Sequence, residues 1–265
     1  SRGLGDVYKR QALATVFSQC VSAFLVTWSL TKDYDSMKLQ FRELRMEACV
    51  LKRELKIGIP GALQACAYGV TNVVIQASIN SFGTDTAAGW AAYGKLDLIF
   101  WTVSSALGAA VTTFVGQNYG AGNKERVRNS YFVSLAYSFG IGLVIGVFLE
   151  IFGTQFLSIF TTEQAVVDAG MKRLGIMGFS YCVSAFMDAA IAASRGLGKS
   201  VVPTIIVIMG SCVFRIIWVY TIFAYFKTIP SLYLLYVFSW SITAIVEMIY
   251  FKVIYHKQMT ALRTA

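Results

Sequence analysis

The chain is poor in charge. Asp, Glu, Lys and Arg make up 14% of its 265 residues, against about 25% in an ordinary globular chain, and a water-facing surface cannot be built from that supply. Proline is scarce too, at three residues. With 14% aromatic and 56% apolar residues, a disordered chain is excluded. The five cysteines form an odd, dispersed set: Cys20, Cys66, Cys182 and Cys212 fall inside apolar runs and Cys49 in a charged loop. Such a set gives neither a disulfide nor a zinc framework. No HExxH or GxSxG occurs, and the single histidine, His256, sits in the polar tail, so the common hydrolase constellations are absent. Gly198-Lys199-Ser200 ends like a phosphate-binding loop, but Ala193 stands where that loop needs its first glycine and Pro203 lies just downstream. The sequence therefore reads as a non-enzyme without a cofactor or metal.

What is present is long apolar runs. Mean hydropathy is +0.60, and seven runs approach the roughly 20 residues that a bilayer core of about 30 Å demands of a helix: 12–30, 57–82, 88–115, 130–152, 171–194, 202–226 and 231–255. The fold class expected is an all-α polytopic membrane bundle. The net charge of +9 does not point to nucleic acid, because the basic residues sit in short loops between the runs. Residues 31–56 carry seven of them (Lys32, Lys38, Arg42, Arg45, Lys52, Arg53, Lys56), which predicts a cytoplasmic loop and a cytoplasmic C-terminal tail at 256–265. Lys95, Lys172, Arg173 and Lys227 fall to the outer side. Arg2, Lys9 and Arg10 contradict that orientation, and residues 1–11, which lack an initiator Met, read as a non-native or junction segment. Residues 161–164 (TTEQ) read as a capping box opening a short helix.

Two sets of polar residues lie within the runs. Gln64, Tyr68, Asn72, Gln76 and Asn80 recur at i, i+4 and so share one helix face. Amides facing hydrocarbon would be unsatisfied, so the row either glues helices together or lines a hydrated cleft. Asp97, Asp188, Arg215 and Glu247 are ionisable groups inside spans, each costing about 2.5–3.5 kcal/mol to insert, and such groups are functional candidates. At 1.5 Å per residue, Asp188 and Glu247 lie about 9–11 Å and Arg215 about 18 Å from the cytoplasmic ends. A structural Arg215–Glu247 ion pair is expected, with Asp188 as an alternative partner of Arg215.

Three stretches carry a family resemblance. Residues 55–64 (LKIGIPGALQ, with Pro60), 114–126 (FVGQNYGAGNKER, with Gly116, Gln117, Asn118, Gly120 and Gly122) and 193–203 (ASRGLGKSVVP, with Arg195, Gly196 and Gly198) resemble the bacterial branch of the multidrug and toxic compound extrusion (MATE) transporters in order, spacing and place at helix ends. The glycines suit tight turns between packed helices. The resemblance covers about residues 12–255. It implies that 12–30 corresponds to the last helix of an N-terminal lobe, 31–56 to the inter-lobe loop and 57–255 to the C-terminal lobe, with the N-terminal lobe as the missing partner.

The resemblance further implies a multi-pass protein of the inner membrane that exports drugs or organic cations in exchange for H+ or Na+, by alternating access of a cleft between lobes. In many members a Glu lies eight residues after the proline of the first motif and a carboxylate eleven before the arginine of the third. Here those positions hold Tyr68 and Ser184, with Asp188 one turn nearer Arg195. Asp188 and Asp97 are the ion-coupling candidates, and Gln64, Tyr68, Asn72, Gln76 and Asn80 the substrate-cleft candidates. A flippase for lipid-linked sugars shares the architecture but lines its cleft with several basic residues, whereas Arg215 is the one arginine that the sequence places mid-span. A non-transporting scaffold would need no ionisable residue in its spans.

Overall fold

The computed structural model describes residues 2–32 and 45–264. The chain divides into residues 1–53 and 54–265. The first unit holds α1 (Arg2–Lys32) and the opening of α2. Its loop residues Lys38 and Arg42 lie outside the described residues. Residues 2–11 are continuous with the helix that contains the first apolar run.

The second unit is a helix bundle built from the rest of α2 (Ala48–Asn80), α3 (Thr84–Gly120), α4 (Lys124–Phe160), α5 (Gln164–Met177), α6 (Ser180–Gly196), α7 (Val201–Phe226) and α8 (Ile229–Thr264). Among the described residues five helices, α1, α3, α4, α7 and α8, are long and apolar enough to cross a membrane, and α5 with α6 makes a sixth span if the bent pair is counted as one. The remaining run, 57–82, lies in α2. It falls short of the same apolarity because its polar row interrupts it at every turn.

Short α6 is the centre of the bundle, packed on α3, α4 and α8. Its sequence explains this: Ser184, Ala185, Ala189, Ala190, Ala192, Ala193 and Ser194 are buried, and small side chains let several helices approach one axis. The fifth run is not a single straight helix, since α5 and α6 meet at 55°. At the bend a Cβ on Gly146 of α4 would lie 2.8 Å from the Gly178 carbonyl oxygen, so the close approach of α4 to the break requires glycine there.

The hairpin glycines divide by role. Gly122 and Gly198 have φ of 70° and 75°, the left-handed turns expected of them. Gly116 and Gly196 serve packing instead: a Cβ on Gly196 would lie 2.8 Å from Val115, and one on Gly116 would lie 3.4 Å from the Gly196 carbonyl oxygen. The capping box at 161–164 does not form. Glu163 is the N-cap without a side-chain cap bond, Thr161 Oγ1 accepts from the Glu163 amide, and Gln164 turns to Asp168. Within α7, π-helical turns at Ile208–Val213 and Val219–Phe223 bracket the α-helical Phe214–Trp218. Such widened turns concentrate at functional sites, and Arg215 stands between these two.

Candidate functional site

A cavity of about 510 Å3 opens inside the second unit, bounded by α2, α3, α5, α6, α7 and α8. Gln64, Tyr68, Asn72 and Gln76 present one wall, Asp97 and Asp188 two others, and Trp90, Trp101, Tyr236 and Trp240 the apolar lining. Asn80 does not line it and instead accepts a 2.9 Å hydrogen bond from Gln76 Nε2. A second cavity of about 580 Å3 shares Gln64, Trp101, Asp188 and Ile191 with the first and continues past Ser104 and Thr112 to Arg195. The i, i+4 row thus becomes a wall because a helix repeats its direction about every turn.

Two arginines line the first cavity. Arg173, which charge counting assigns to the outer side, is buried in α5. Its Nη2 lies 3.1 Å from Asp97 Oδ2, its Nη1 donates to the Trp90 carbonyl at 3.0 Å, and its guanidinium stacks 3.4 Å from the Trp90 ring and 4.3 Å from the Tyr93 ring. Tyr181 donates to the other Asp97 oxygen at 2.6 Å, and its hydroxyl also shares a hydrogen bond with Tyr93. Asp97, Arg173, Tyr181 and Tyr93 form one closed network. One signal in the sequence marks Arg173: Val166, Gly170, Arg173 and Met177 fall on a single helical stripe, and all four are buried.

Arg215 has no such partner. The expected pair with Glu247 is not formed, and the Arg173–Asp97 pair is the only salt bridge among the described residues. Arg215 Nε donates to Ser239 Oγ at 2.9 Å, while Nη2 has no hydrogen-bond partner. Rings surround its guanidinium: Tyr236 at 4.3 Å, Trp240 at 5.5 Å and Tyr68 at 5.9 Å. Ser239, which Arg215 does reach, lies eight residues before Glu247 on α8, so Glu247 stands about 12 Å further along that helix at about 1.5 Å per residue. Glu247 is fully buried, and neither of its carboxylate oxygens has a hydrogen-bond partner among the described residues.

Asp188 does not pair with Arg215 either. Its Oδ2 accepts from Ser104 at 2.7 Å, and the residue faces both cavities. At the far end the three motifs meet in space. Arg195 Nη2 donates to Gln64 Oε1 at 2.8 Å, joining the third motif to the first, and Gly196 packs on Val115 and Gly116 of the second. Pro60 is buried inside α2. Gln117 and Asn118 carbonyls accept from Ala121 and Asn123 to close the hairpin, the Asn118 amide side chain returns to Phe114, and Gly120 has open space around it.

Comparison with known proteins places this architecture. A family model described as MatE matches residues 60–221. The chain is 26% identical over 200 residues to the probable multidrug resistance protein YoeA of Bacillus subtilis (strain 168), covering 74% of this chain and 43% of YoeA. It is 25% identical over 224 residues to the probable multidrug resistance protein NorM of Thermotoga maritima, covering 82% and 46%. A crystal structure of MATE in the straight conformation superimposes with a TM-score of 0.82 at 19% identity, over 96% of this chain and 57% of that one. The chain spans about half the length of the curated relatives it matches. Because the matched segment runs from Pro60 in α2 to Thr221 in α7, and so takes in every cavity-lining helix except α8, this chain belongs to the MatE family of multidrug and toxic compound extrusion transporters.

Proposed function

We propose that this chain supplies the C-terminal lobe, with the helix before it, of a secondary antiporter that exports small amphipathic compounds across the inner membrane in exchange for H+ or Na+. The observation that carries this reading is the cavity itself. The polar row, two carboxylates and four large aromatic rings converge on one space within a chain of this family, and a mostly apolar pocket with a few convergent polar groups is the usual form of a small-molecule site. In the same reading an N-terminal lobe closes the other side of the cleft, and the loop at 31–56 and the C-terminal tail face the cytoplasm.

Asp188 is the coupling group of this reading. Asp97 is held by Arg173 and Tyr181, whereas Asp188 has one serine donor and faces the cavity. It can therefore exchange an ion with the space that the substrate occupies. The flippase reading gains nothing from the second arginine, because the charge of Arg173 is matched by Asp97.

The test is gradient-driven export by a transporter in which this chain follows a six-helix N-terminal lobe of a relative. Asp188→Asn keeps the shape and removes the charge. The variant should fold and bind substrate, and its export should no longer respond to the H+ or Na+ gradient. Unchanged gradient-driven export by Asp188→Asn would place coupling elsewhere.

A further inference from the structure

The cavity's polar groups differ in what they have left to offer. Asp97 accepts from Arg173 and from Tyr181, one bond to each oxygen. Arg173 is neutralised by Asp97 and also bonds the Trp90 carbonyl. Arg215 is 2% exposed, carries a charge that no carboxylate balances, and has one guanidinium nitrogen with no partner. A buried, unmatched guanidinium donor is costly to leave empty, and a planar fork of N–H groups suits an oxyanion better than any other ligand group. The rings of Tyr68, Tyr236 and Trp240 stand around it, with Trp90 and Trp101 further along the same lining. Flat apolar walls next to one free cationic donor describe a complementary ligand: an aromatic body bearing an acidic group.

We propose that the compounds this lobe takes up into its cavity are aromatic acids, and that Arg215 is the residue that recognises their oxyanion. This rests on the cavity being the substrate site, as proposed above. It replaces the expectation of organic cations, because the carboxylate at Asp97 that would attract a cation is already held by Arg173 and Tyr181. Asp188 stands on a different helix from Arg215 and remains available to the coupling ion.

The test is equilibrium dialysis of the purified 265-residue chain in lipid nanodiscs against three probes of one shape: 2-naphthoate, the neutral 2-naphthamide and 2-naphthylmethylammonium. The wild type should hold naphthoate about tenfold more tightly than the amide, the factor expected of one hydrogen bond to a charged group, and the ammonium most weakly. Arg215→Gln should bring naphthoate and naphthamide to equal affinity. If the ammonium or the amide binds and naphthoate does not exceed them, the assignment to acids is overturned while the cavity remains the substrate site. If no probe binds, the cavity reading and this inference fail together. If Arg215→Gln does not give a monodisperse helical protein, the wild-type ranking of the three probes decides the question by itself.

Discussion

Arg173 and Arg215 line the same cavity and are both buried, yet their surroundings are opposite. Around Arg173 a carboxylate, a backbone carbonyl and two ring faces account for the guanidinium, and the tyrosines behind the carboxylate hold it in turn. Around Arg215 there is one hydroxyl and a set of rings. The first arrangement fastens α3, α5 and α6 together across the bend and leaves little for a ligand. The second leaves a charge that the fold does not answer.

The largest effect that would break this contrast is at Asp97. Asp97→Asn leaves Arg173 buried without a counter-charge, a change that destabilises by about 3–5 kcal/mol when a buried pair loses one member. Denaturant unfolding in mixed micelles should show that loss. A variant as stable as wild type would mean that Arg173 is not locked and that the two arginines are alike. Next comes Tyr181→Phe, which removes a donor to Asp97 and leaves the Tyr93 hydroxyl without its partner. A hydrogen bond to a charged group contributes about 1.5–3 kcal/mol, and the same unfolding measurement should register a loss in that range.

Arg215→Met sharpens the contrast from the other side. Burying an unpaired guanidinium costs several kcal/mol; one donor bond to Ser239 returns about 1.5–3 and a desolvated ring contact about 2. These nearly cancel, so the substitution should leave stability within about 1 kcal/mol of wild type. A loss of several kcal/mol in the unfolding midpoint would show that Arg215 is as structural as Arg173.

Much of this layout was legible in the sequence. Apolar runs placed the helical rods, and the i, i+4 row put Gln64, Tyr68, Asn72 and Gln76 on a common wall. Helix ends were less legible: α2 begins at Ala48 rather than at residue 57, because backbone hydrogen bonding continues through Lys52, Glu54 and Lys56, where hydropathy stops. The bend at Gly178 is hidden in a run whose length reads as one continuous span. The partners of Arg215 are not legible in composition, which places ionisable groups inside spans without fixing which levels of neighbouring helices meet: Arg215 reaches Ser239 on α8 and not Glu247, two turns further on. Charge counting places Arg173 with Lys172 at the outer end of the fifth run, although its helical stripe points inward.

The smallest stability effect belongs to Asn72, and it decides what the polar row is for. If the row were glue, each amide would hold a neighbouring helix. Gln64 does so through Arg195, but Gln76 bonds within its own helix, and Asn72 lines the cavity and is exposed. Asn72→Leu should therefore change stability by no more than about 0.5 kcal/mol, as for a surface position without partners. It should still change which aromatic compounds the cavity holds, because it replaces a polar wall group with an apolar one at the centre of the row. Binding of a polar and an apolar probe of one ring size should shift in favour of the apolar one. A loss of more than 1 kcal/mol, with the ranking of probes unchanged, would make the row a helix contact and leave the aromatic rings and Arg215 as the cavity's only selective groups.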